Sequence, residues 1–135
     1  MRILVCGLPG SGKSHFSTLL KEQLDSDYFN ADEVRKEAND WDFSIEGRER
    51  QSQRMKTLSL ESKKDFVISD FVAPTQKIRD FFNPDFTIWI DTIKEGRFED
   101  TNKIFEKPKY NLRISEYNYD VIEIANLLKE VNGKI

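Results

Sequence analysis

Gly7-Leu8-Pro9-Gly10-Ser11-Gly12-Lys13-Ser14 decides the reading of this chain, because it follows the apolar run Ile3-Leu4-Val5-Cys6 and leads into a helical pattern. Strand, glycine loop and helix in that order are what a triphosphate cradle requires. Glycine removes the Cβ that would keep main-chain N–H groups from converging on phosphate oxygens. The helix behind the loop points the positive end of its dipole at the same place. The stretch therefore predicts binding of ATP or GTP. Gly7, Gly10, Ser11 and Gly12 would form the cradle, Lys13 would reach the β- and γ-phosphates, and the Ser14 hydroxyl would meet Mg²⁺. The adjacent lysine and serine distinguish the pattern from an ordinary glycine-rich turn.

Working outward, residues 2–6 read as a buried strand and 13–25 as a helix with Phe16, Leu19, Leu20 and Leu24 on one face. Tyr28-Phe29-Asn30 is a short extended piece entering Asp32-Glu33-Val34-Arg35, whose acidic start suits a helix N-terminus. Ser44 is placed to cap a long charged helix running to about Lys64, with Gly47 in its first turn. Phe66 to Asp70 reads as a buried strand ending in a carboxylate, and Pro74 opens a helix to about Phe82. Phe86 to Asp91 repeats the strand pattern. Leu112-Arg113-Ile114 is a weaker strand before a final helix from about Asp120 to Val131, ended by Asn132-Gly133. This alternation predicts an α/β fold, a mostly parallel sheet with helices on both faces and ligands at the carboxyl ends of its strands. Trp41 and Trp89 are core candidates, Asp91 reads as a helix cap, and His15 is given no role.

The 135 residues suit a single domain, 1–135. The 21 basic and 24 acidic residues leave a net charge of −3, which gives no broad attraction to a nucleic-acid backbone or an anionic membrane. Cys6 is the only cysteine and lies in the first strand pattern, so no internal disulfide forms and a reducing cytoplasm is expected. Neither a signal peptide nor an apolar run long enough to span a bilayer is present, and a soluble protein is expected.

The acceptor side of a phosphate site is sought at neighbouring strand ends. Asp32 and Arg35, three apart on one helix, would face the same cleft and set a carboxylate for a hydroxyl proton beside a cation for an anionic acceptor. Arg48, Gln51 and Arg54 recur at three-residue spacing, either as an anion-binding wall or as a solvated face. Asp70 would hold Mg²⁺ through water or cap the turn that follows it.

In the same order over the first 80 residues, the loop, Asn30-Ala31-Asp32-Glu33-Val34-Arg35, Asp42-Phe43-Ser44 with Gly47-Arg48, and Ile68-Ser69-Asp70-Phe71-Val72-Ala73-Pro74 resemble adenylylsulfate kinase. Phe105-Glu106-Lys107-Pro108 and Leu112-Arg113-Ile114 extend the resemblance. It implies the three-layer P-loop kinase fold and Mg²⁺-dependent transfer of the ATP γ-phosphate to the 3′-hydroxyl of adenylyl sulfate, with a homodimer plausible. On that resemblance Asp32 receives or orients the hydroxyl proton, Arg35 and Arg48 hold the acceptor, and Phe43 packs on its adenine. Gln51 stands where the family has asparagine, and Val72-Ala73 line the acceptor wall where the family has serine before the proline. The lid, Thr92 to Ile104, is shorter than the family's, so Arg97, Lys103 or a partner subunit would complete it.

Two other readings compete. Asn30, Asp32 and Arg35 also satisfy the pattern of polynucleotide 5′-hydroxyl kinases, and residues 44–64, with six basic and three acidic side chains, would offer a local track. A nucleotide-dependent binding module, in which ATP or GTP orders a loop for a protein partner, is the third.

Overall fold

The computed structural model describes residues 1–134. Strands β1 (Arg2–Cys6), β2 (Ser26–Asn30), β3 (Phe66–Asp70), β4 (Phe86–Ile90) and β5 (Leu112–Ile114) alternate with helices α1 (Lys13–Glu22), α2 (Ala31–Ala38), α3 (Ile45–Glu61), α4 (Gln76–Phe82), α5 (Glu99–Ile104) and α6 (Val121–Gly133). The strands form one sheet in the order β2-β3-β1-β4-β5, and every pairing is parallel. The α/β architecture read from the alternation is thus the one observed.

A parallel strand needs a crossover, and crossovers cover both faces of the sheet, so the central strands are apolar on both sides. β1 shows how the alternation divides the core. Ile3 and Val5 pack with Phe16 and Leu20 of α1 and Ala125 and Leu128 of α6. Leu4 and Cys6 point the other way, to Val34 of α2, Met55 of α3 and Phe82 of α4. Each such fully buried side chain contributes about 1.5–3 kcal/mol relative to exposure. Val5 lies in register with Asp70, and Asp70 with Asn30, so three strand ends converge beside the glycine loop.

Several local features differ from the sequence reading. α1 stops at Glu22, and α4 begins at Gln76 because Thr75 caps it by accepting from the Ile78 N–H. α5 was not anticipated. Trp41 is half exposed rather than core, because it lies in the loop between α2 and α3 and borders a cavity. Trp89, by contrast, packs against the Leu4 and Cys6 side of the core as expected, partly buried with its ring beneath the Arg113 guanidinium. Asp91 caps no helix and instead pairs with Arg113 at 2.7 Å. Among the described residues no helix is long and apolar enough to cross a membrane.

Candidate functional site

The glycine loop is built for an anion. Gly10 and Gly12 adopt φ of 86° and 95°, a left-handed region that glycine enters without strain. A Cβ on Gly7 would lie 2.5 Å from the Ile90 carbonyl oxygen, and one on Gly12 would lie 3.0 Å from the Tyr117 ring. Gly12 precedes α1 without a side-chain cap, so the first-turn N–H groups of that helix are not taken by any side chain. Lys13 is buried and folds back, its Nζ donating to the Leu8 carbonyl at 3.0 Å. Burial lowers its pKa, opposed by the charge of Asp70 and, more weakly, of Asp32. Ser11 is fully buried, and its hydroxyl has no hydrogen-bond partner among the described residues.

Beside the loop lies a polar corner. The Ser14 hydroxyl donates to Asp70 Oδ2 at 3.1 Å, and the Tyr28 hydroxyl donates to the same oxygen at 2.7 Å. Burial pushes the Asp70 carboxyl up, against the Tyr28 hydrogen bond and the Lys13 charge. Tyr28 is pushed up to about 12 by burial and by the neighbouring Asp70. The described residues contain no group of three or more histidine, cysteine or acidic side chains suited to a metal. A serine hydroxyl with one buried carboxylate instead fits Mg²⁺, which keeps waters and takes most other ligands from a bound phosphate.

A cavity of about 780 Å³ opens from this corner and brings together Gly10, Gly12, Lys13, Ser14, Asp32, Arg35, Phe43, Arg48, Gln51, Asp70 and Val72. Asp32 is exposed to it, in the first turn of α2, where Asn30 caps the helix. Arg35 is 4% accessible; its Nη1 donates to the Asp40 and Asp42 carbonyls at 3.0 and 3.1 Å, and its guanidinium lies 4.2 Å from the Phe43 ring centre. It holds the loop that presents Phe43. Arg48 donates from Nε to the Phe43 carbonyl and from Nη2 to the Thr101 hydroxyl at 3.4 Å, close to Asp100. Gln51 is committed to the protein, donating to the Ala31 carbonyl and accepting from Arg54 Nε.

Arg54 does not border the cavity and pairs with Asp40 at 3.0 Å, as does Arg50. Hydrogen bonds from Arg50 hold the Asp40 carboxyl far below the carboxylate range, and Asp42 is brought down to about 2, chiefly by the Ser44 N–H. With Lys64 on Asp25 and Lys56 over the Phe81 ring, the basic residues of 44–64 are mostly paired within the chain rather than arrayed as a free track.

The segment between Thr92 and Ile104 reaches the site. Gly96 and Asn102 hydrogen bond reciprocally at 2.8 and 2.9 Å, and Gly96 packs against the Pro9 carbonyl. Arg97, Phe98, Asp100 and Thr101 line the cavity, whereas Lys103 turns away to Glu99. Sequence reasoning missed Phe98, Trp41 at the rim, and the amide of Asn30. Asn30 enters the sequence reading through its pattern with Asp32 and Arg35, and its place ahead of an acidic helix start is the signal for the cap.

A family model described as chromatin associated protein KTI12 matches residues 1–80. No curated protein sequence matches significantly. Among solved structures, that of APE1195 is similar at 20% identity over 100% of this chain and 96% of that one, with a TM-score of 0.77. The APS kinase CysC of Mycobacterium tuberculosis, in complex with AMPPNP and APS, is similar at 16% over 96% and 95%, TM-score 0.69. Shikimate kinase from Aquifex aeolicus is similar at 21% over 99% and 98%, TM-score 0.67. At these identities the likeness is one of fold, the P-loop kinase fold.

Proposed function

The chain belongs to the KTI12 family, and from that premise and the site's geometry we propose that it is an ATP-dependent, Mg²⁺-requiring phosphotransferase acting on an alcohol. The observation that carries this reading is that Asp32 borders the same cavity as Lys13 and Ser14. Lys13 exchanges the Leu8 carbonyl for phosphate oxygens, and the α1 N–H groups hold the rest of the tail. Ser14 and, through water, Asp70 would hold Mg²⁺, which when bound would supply positive charge to the phosphates. The acceptor oxygen bonds to the γ-phosphorus as the bond to the ADP oxygen breaks, and its proton passes to Asp32.

Adenylyl sulfate is the favoured acceptor. Trp41, Phe43 and Phe98, each about half exposed at the cavity, offer ring faces to a base, and Arg48 and Arg97 offer guanidinium groups to phosphate and sulfate oxygens. Polyol acceptors have no use for such a rim. The family's description as chromatin associated favours a second reading, a nucleotide-dependent binding module. Labelled γ-phosphate separates these: ATP and Mg²⁺ are offered with adenylyl sulfate, shikimate, gluconate, a 5′-hydroxyl oligonucleotide or no acceptor. Label on adenylyl sulfate is expected. Label only in free phosphate would replace the kinase with a hydrolase or switch.

A further inference from the structure

Asn30 ends β2 and precedes α2, and its side-chain amide faces two ways at once. The oxygen accepts from the N–H groups of Asp32 and Glu33 at 3.0 and 3.2 Å, which fixes the first turn of α2. The nitrogen is thereby turned toward the corner, where it lies 2.9 Å from Ser14 Oγ, 3.2 Å from the Tyr28 hydroxyl and 3.3 Å from Asp70 Oδ2. Two amide hydrogens serve these three acceptors, so the nitrogen has no free donor. One planar group therefore bonds the backbone of the proposed acceptor carboxylate on one side and both proposed metal-holding residues on the other.

We infer that Asn30 is a positioning residue that couples the Ser14–Asp70 corner to Asp32, so that loading the corner with nucleotide sets the acceptor carboxylate. The inference rests on the phosphotransferase reading and deepens it. A cation held at Ser14 Oγ would use that oxygen's second lone pair and set its positive charge against the Asn30 amide hydrogens, favouring the amide's contacts with Tyr28 and Asp70 over that with Ser14. Because the amide is planar, any turn of its nitrogen also turns its oxygen, and with it the Asp32 and Glu33 N–H groups. Tyr28 donates to the same Asp70 oxygen and lies beside the amide nitrogen, which limits how far the amide can move.

The test uses the whole chain with Asn30→Ser, which keeps a capping oxygen but is too short to reach the corner. Its first readout is the ¹⁵N–¹H signals of Asp32 and Glu33 as AMPPNP and Mg²⁺ are added. In the wild type both signals are expected to shift on binding. In Asn30→Ser they should lose that response while nucleotide affinity is retained. The second readout is single-turnover transfer to adenylyl sulfate, expected to fall about 10–100-fold, as for other residues that orient a site's ligands. That loss should vanish in an Asp32→Asn background, whereas a merely structural role would multiply with it. Asn30→Asp keeps length and cap but turns an acceptor toward Asp70, and it should lose the same response if the serine variant does not fold. An unchanged response in both variants, or losses that multiply, would overturn the link. The amide readout needs no acceptor, so it decides the link even if the wild type transfers phosphate to nothing, a result that would count against the phosphotransferase reading alone.

Discussion

The glycine loop and the acceptor wall face each other across one cavity but are made in different ways. Residues 7–14 are contiguous, and their function lies in main-chain geometry: two left-handed glycines and an uncapped helix start. The opposite wall is assembled from α2, the loop before α3, the start of α3 and the lid, and its function lies in side chains held by other side chains. The main-chain part of the loop is sensitive chiefly to a Cβ or a lost amide, with Lys13 and Ser14 as its working side chains, whereas a side-chain-made wall fails whenever one support is removed.

The largest effect is expected from Lys13→Ala, which removes the loop side chain that would reach the β- and γ-phosphates. Phosphoryl transfer should fall roughly 10²–10³-fold or to background, as when a preorganised donor is removed, with the fold intact by circular dichroism. On the opposite wall, Gly47→Ala should act through packing, because its Cβ would collide with the Asp42 carbonyl oxygen in the loop that Arg35 holds. Overpacking of this kind costs about 1–3 kcal/mol, read as a lower denaturation midpoint, and should disturb the acceptor more than ATP binding. Phe43→Ala should raise the KM for adenylyl sulfate by up to about 10-fold, the scale of one aromatic contact, with little change in stability because the ring is half exposed.

The smallest effect is a pH dependence. Burial raises the Asp70 pKa in the folded, nucleotide-free protein, so the protonated form is favoured on folding. Its contribution to stability is full below the ordinary aspartate range and is lost as pH rises through the raised value. Asp70→Asn should flatten that decline in thermal melts across the acidic range.

The same contrast explains what could be read in advance. The loop was legible because eight adjacent residues specify it, and the sheet because Ile3 to Cys6, Phe66 to Asp70 and Phe86 to Ile90 are apolar runs that only buried parallel strands require. The Ser44 cap on α3 was legible as well, since capping is local. Trp41 was misread because one indole between Asp40 and Asp42 has no periodicity to show whether it faces a core or a cavity. α5 has six residues and no apolar stripe, so it left no signal. The Asn30 amide was half legible. Its cap follows from the next three residues, but Ser14 and Asp70 are 16 and 40 residues away and meet it only once β2 and β3 pair in register.

Whether Asp32 serves an alcohol across the cavity from the phosphate loop is decided by single-turnover transfer of the ATP γ-phosphate by Asp32→Asn. Affinity for ATP and Mg²⁺ should be unchanged and the transfer step slowed by about 100-fold or more, the loss of a positioned base. Transfer at the wild-type rate, with the nucleotide bound as before, would contradict that role.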